Sequence, residues 1–220
     1  MKKIILAIVG LCFLKTTEAQ LIKKSATFQK PAIQKPHNNN GNNQQTPTST
    51  PALTDADYFL GVAKITIKTG KDNKELNSKL ILRVYPNAGT DNWRKGYELN
   101  DYKDVLKTWS TNSFTLPRSG GFDKSFNSLA NYKQDGVMVD IFYDTFGNGP
   151  FCLLDAWKIE EVSVTLEFKD VNGNPHPTFG SKTIYFSGSD MYLDYQKWHL
   201  FCKTDQYFNT LPTFILRRDS

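Results

Sequence analysis

Chemistry in this chain would have to be built from few reactive side chains. Its 220 residues hold three histidines, His37, His176 and His199, and three cysteines, Cys12, Cys152 and Cys202. A Ser-His-Asp arrangement would have to use His176 or His199, because His37 lies in a polar low-complexity stretch. His176 stands between Pro175 and Pro177 in a turn sequence, His199 stands among aromatic residues, and no Gly-x-Ser-x-Gly elbow occurs. Turn and packing roles are expected of both. Glu160 and Glu161 are adjacent on an expected strand and so point to opposite faces, which excludes them as a glycosidase pair. The cysteines are isolated from one another and from the histidines, unlike the paired ligands of a zinc site.

Two further groups of residues could bind rather than react. Trp93 and Tyr97 follow the loop 86–91, and Trp109 lies near another turn. Such rings, with an apolar body and a polar handle, suit a membrane interface or stacking on sugars, although core packing is the ordinary role of each taken singly. Cys152 and Cys202 are an even pair, as expected of a disulfide in an oxidising compartment. Closing that loop of about 50 residues would add roughly 4 kcal/mol on a chain-entropy argument. Two buried, reduced cysteines packed as small hydrophobes are the alternative.

The elements that must position these residues are expected to begin after two N-terminal segments. Residues 1–19 have the parts of a secretory signal peptide: Lys2 and Lys3, an apolar run from Ile4 to Leu14, and Thr17-Glu18-Ala19 before an expected cleavage at Gln20. Eleven apolar residues are too few to span a bilayer, which takes about 20. A lipidated Cys12 is disfavoured because Leu11 precedes it inside the apolar run. A secreted, periplasmic or cell-surface protein is therefore expected. Residues 20–52 read as a disordered Asn/Gln/Thr/Pro-rich linker, since residues 37–51 contain no apolar side chain beyond the prolines.

The formal charge of +5 belongs to these stretches. Setting aside Lys2, Lys3 and Lys15 with Glu18, and then Lys23, Lys24, Lys30 and Lys35, leaves 20 basic and 21 acidic side chains over residues 53–220. A nucleic-acid-binding domain carries its basic excess on the folded part, so that partner class is excluded.

Residues 53–220 read as one domain. Val62 to Lys68 alternates with Ala63, Ile65 and Ile67 on one face, and Val162 to Phe168 alternates in the same way. Further strands are expected over Lys79–Tyr85, Phe114–Leu116, Val137–Tyr143, Thr183–Phe186 and Thr213–Leu216. Short strands separated by turn clusters predict an all-β, antiparallel β-sandwich. One or two short helices are allowed by the windows Asn100–Lys107 and Met191–Phe201. In the second, Met191, Tyr195, Trp198 and Cys202 share a helical face.

One arrangement is familiar. A strand ends in Thr69-Gly70, a polar loop precedes Ser78-Lys79-Leu80-Ile81-Leu82-Arg83-Val84-Tyr85, and an acidic loop at Asp144 leads through Gly149-Pro150 to Trp157-Lys158-Ile159-Glu160-Glu161-Val162-Ser163-Val164. This resembles the PLAT (polycystin/lipoxygenase/alpha-toxin) family of β-sandwich modules over about 110 residues, Val62 to Phe168. The chain departs from the family in the six residues between Pro150 and Trp157 and in about 50 residues after Phe168. The resemblance implies a non-catalytic module that recognises a lipid surface or a partner protein through end loops, sometimes with calcium. Asp72, Asn73 and Asp144, with Asp155 just beyond, would be the oxygen ligands, while Asx-type turn bonds are the structural alternative for the same residues. A carbohydrate-binding or adhesion module and a small secreted hydrolase are the other two classes. Exposed aromatics beside basic residues at one end would favour lipid, and an aromatic row on one sheet face would favour glycan. A deep pocket joining a histidine to a carboxylate would favour a hydrolase.

Overall fold

The computed structural model describes residues 52–76, 78–145 and 155–218. The expected signal peptide, the linker up to residue 51, and Cys152 lie outside the described residues. The domain is an all-β sandwich of two antiparallel sheets.

The first sheet contains β1 (Phe59–Thr69), β4 (Thr111–Thr115), β6 (Trp157–Lys169) and β7 (Ser181–Ser187) in the order β4-β1-β6-β7, with the short β8 (Tyr192–Leu193) also pairing β6. The second contains β2 (Lys79–Pro86), β3 (Tyr97–Tyr102), β5 (Val137–Asp144), β9 (Lys197–Lys203) and β10 (Phe214–Arg217) in the order β10-β9-β5-β2-β3. Alternation decides which face each strand buries. Ala63, Ile65 and Ile67 of β1 and Val162, Val164, Leu166 and Phe168 of β6 point inward, where they meet Leu80, Leu82, Val84, Val139, Ile141 and Tyr143 of the second sheet in one core. Trp157, at the entry of β6, is wholly buried in it.

The window Met191–Phe201 is extended rather than helical. It supplies β8 and β9, because period-2 burial of Leu200 and Cys202 against the core outweighs the helical face read from sequence. Asn100–Lys107 is likewise not a helix: it finishes β3 and then bridges Lys74 through Leu106. The one α-helix among the described residues is α1 (Leu129–Asp135). Its N-cap Ser128 accepts from the Asn131 N–H, and Leu129 and Tyr132 anchor it to the core. It stops at Gly136, whose φ of 79° and close approach to the Thr204 carbonyl leave no room for a Cβ.

The two sheets differ on their outer faces. That of the first is polar, with Thr66 bonded to Ser113 and Thr165 to Thr183. That of the second carries its own small apolar cluster, Tyr85, Met138 and Phe201, with Trp93 and Phe126 against it. For this reason β5 is buried on both faces from Val137 to Ile141.

A candidate binding groove across the second sheet

The side chains on the outer face of the second sheet form a ladder that crosses all five strands. Register places Phe214 of β10 opposite Phe201 of β9, Phe201 opposite Asp140 of β5, Asp140 opposite Arg83 of β2, and Arg83 opposite Glu98 of β3. A parallel row pairs Leu216 with His199 and His199 with Phe142. All of these except Glu98, together with Tyr85 and Trp93, line an open groove of about 420 Å³.

One half of the groove is aromatic. The His199 and Phe201 rings are nearly parallel, 5.3 Å apart at 8°, and Phe201 and Phe214 follow at 6.2 Å and 21°. Phe142 meets His199 edge-on at 4.7 Å. Residues two apart on β9 share a face, so the strand itself sets this stack. Phe214 is 54 % exposed.

The other half is ionic. The Arg83 Nε donates to Glu98 Oε2 at 2.6 Å, its NH1 donates to Asp140 Oδ2 at 3.0 Å, and Asp140 Oδ1 lies 2.8 Å from His199 Nδ1. These four side chains are only 14 %, 12 %, 3 % and 12 % exposed, in the order Glu98, Arg83, Asp140, His199. Burial would lower the Arg83 pKa, but the hydrogen bonds and charges of Glu98 and Asp140 outweigh it and raise the value. The 3-10 turn Thr90–Lys95, directly after β2, lays the Trp93 ring over the Arg83 guanidinium at 4.0 Å. Asp140 holds one nitrogen of His199, and among the described residues Nε2 has no protein partner.

A second depression of about 270 Å³ lies on the other side of Trp93, lined by Arg94, Glu98, Ser119, Gly120 and Gly121. Gly121 packs against the Arg94 backbone so closely that a Cβ would stand 2.9 Å from its carbonyl oxygen.

Of the residues singled out in the sequence, Trp93 and His199 belong to this groove. Tyr97 is 2 % exposed; its hydroxyl donates to the Leu60 carbonyl and its ring packs on Phe122, so it is a core residue instead of a contact aromatic. Trp109 is 64 % exposed at a different place, on the β3–β4 connection, where its N–H donates to the Gly70 carbonyl. The acidic residues are also spread out. The Asp72 carbonyl accepts from the Lys158 N–H, with Asn73 beside it in the β1–β2 connection. Asp144 pairs with Arg218, and Asp155 is buried and accepts from the Ser78 and Tyr143 hydroxyls. Among the described residues no group of three His, Cys, Asp or Glu side chains is placed to hold a metal.

Cys202 lies on the core face of β9 and is unpaired among the described residues, which do not include Cys152, and burial pushes its thiol pKa up to about 12. His176 is a turn histidine: Nδ1 accepts from the Thr178 and Phe179 N–H groups, and Nε2 lies 3.0 Å from Asp55 Oδ1.

The residues that sequence left without a site are Arg83, Glu98, Asp140, Phe201 and Phe214, while His199 was expected only to pack among its aromatic neighbours. Two carried a visible signal. Arg83 and Asp140 each interrupt an apolar strand, and a charge in such a place is retained only where it is paired. No family model, curated protein or solved structure matches this chain significantly.

Proposed function

We propose that the chain is a non-catalytic carbohydrate-binding module, displayed outside the cytoplasm, that holds glycans in the groove across its second sheet. The observation that carries this reading is the joining of an aromatic row to a fixed polar fork on one open sheet face. Rings offer apolar surface to the C–H faces of a sugar, and preset donors and acceptors from Arg83, Asp140, Glu98 and His199 suit its hydroxyls. The His199–Asp140 pair does resemble part of a hydrolytic site. The groove is open, however, and no Ser, Thr, Cys or Lys lines it among the described residues, so the pair has no side-chain nucleophile beside it there.

A second reading, a PLAT-like contact with a lipid surface or partner protein, is supported by a separate observation. The β1–β2 and β3–β4 connections are joined through Lys74 and Leu106, and they expose Leu76, Val105 and Trp109 near Lys71 and Lys107. A glycan array and liposomes of neutral and anionic lipid, each with and without calcium, separate the two. Glycan binding that is lost in Phe214→Ala and Trp93→Ala and kept in Trp109→Ala supports the first reading. Liposome binding lost only in Trp109→Ala, with a blank array, replaces it with the second.

A further inference from the structure

We infer that the groove accepts the interior of an extended, β-linked polysaccharide lying across the strands, with sugar-contacting surface on both sides of Trp93; this rests on the glycan reading. Three observations carry it. The lining advances by one residue per strand, Phe214, Phe201, Asp140, Arg83, Glu98, across the whole sheet. Four strand intervals span about 19 Å, several times the width of one sugar ring, and each sugar of an extended β-linked chain advances by roughly one such interval. A site for a single terminal sugar would need only one or two strands.

Neither end of the groove is closed. At the β10 edge Phe214 and Leu216 are exposed, so a chain can run off the sheet there. At the β3 edge the surface dips again beyond Trp93 into the second depression. Gly120 and Gly121 line that depression without side chains. A Cβ on Gly121 would press on the Arg94 backbone, while one on Gly120 would meet nothing within 4 Å and would project into open space.

Trp93 lines both depressions and stands between them, so the track we infer runs past it. One side is set by Arg83 and the aromatic row. The other offers the Arg94 guanidinium, which has no ion-pair partner among the described residues, and the Ser119 region. Such a track gains contact with each added sugar until the chain overruns both edges. A pocket for a chain terminus gains nothing after the first unit or two.

The test is a length series on the full chain. Cello-, xylo- and chito-oligosaccharides of two to six units are titrated by calorimetry against the unaltered protein and against Gly120→Trp, which fills the second depression from a position with free space around it. Thermal melting of both proteins shows that the variant is folded. The expected result is an affinity that rises by about tenfold or more from dimer to hexamer in at least one series, as one added aromatic contact of about 1.4 kcal/mol would supply. In Gly120→Trp that hexamer-to-dimer ratio should fall toward one. Equal affinity for dimer and hexamer, or an unchanged ratio in a folded Gly120→Trp, overturns the extended track and leaves the glycan reading intact. No binding by any of the three series overturns the β-linked-chain inference, and a blank glycan array besides removes the reading on which it rests.

Discussion

Arg83→Met removes the guanidinium from between two carboxylates while keeping much of the apolar stem. Exposed ion pairs are worth about 0–1 kcal/mol, but Glu98 and Asp140 are 14 % and 3 % exposed and belong to a chain of contacts at 2.6, 3.0 and 2.8 Å. Breaking a buried pair leaves an uncompensated charge, for which a loss of about 3–5 kcal/mol is expected. The lost contact with Trp93 falls within that range. For a domain of this size the shift in melting temperature is about 6–20 °C. Urea unfolding followed by tryptophan fluorescence gives the number directly, and an unchanged m-value shows that the folded state is as compact as before. The triple variant Arg83→Met, Glu98→Gln, Asp140→Asn leaves no charge stranded and should recover at least half of the loss, while glycan affinity stays low because the polar fork is gone. A loss under about 1 kcal/mol in the single variant would refute the reasoning, since the ladder would then be hydrated like a surface pair.

Five further expectations concern the rest of the molecule. Tyr143→Phe takes one donor from buried Asp155, and denaturant unfolding should show a loss of about 1–3 kcal/mol. Burial raises the pKa of Tyr132, Tyr143 and Tyr97 above the usual 10.0, so the folded state resists their ionisation. Their stabilisation is complete below pH 10 and declines as pH rises beyond it, and tyrosinate absorbance in an alkaline titration should appear together with unfolding. Burial pulls buried Lys74 down to about 8 from 10.5, so between those pH values the unfolded chain binds more protons and stability rises with pH. Lys74→Met should flatten that rise in unfolding curves measured at pH 7.5 to 9.5. The Cys202 thiol, held to about 12 by burial, should resist alkylation in the native protein and react fully in denaturant, as peptide mass mapping would show. Gly136→Ala forces a Cβ to 2.2 Å from the Thr204 carbonyl at a positive φ, and its melting temperature should fall by an amount matching at least about 1–2 kcal/mol.

Much of the sandwich was legible before any coordinates. Val62–Lys68 and Val162–Phe168 alternate because one face of each strand meets the core and the other meets water, so sequence reports burial directly. Lys79–Tyr85 and Val137–Tyr143 were legible as strands, but their sides were not, because both faces are covered and the apolar pattern runs on. β3 was hidden because Tyr97–Tyr102 is largely polar. β9 was hidden because Met191, Tyr195, Trp198 and Cys202 imitate a helical stripe. Trp93 and Tyr97, four residues apart, read alike in the sequence. The 3-10 turn sends the first onto Arg83, and the strand that follows turns the second into the core.

The sequence alone determined that residues 53–220 are near-neutral and that they are built of antiparallel strands, and it held, unread, two charges inside apolar strands. These are local properties: composition, period-2 patterning and one charge among hydrophobic neighbours. The tertiary structure alone decided that Arg83, Asp140, Glu98 and His199 meet, and that Phe201 and Phe214 continue their ladder. Strand order β10-β9-β5-β2-β3 joins segments far apart in the chain, and register fixes which residues face one another. Cross-strand neighbours leave no periodic trace in a single sequence, so the groove could be found only in three dimensions.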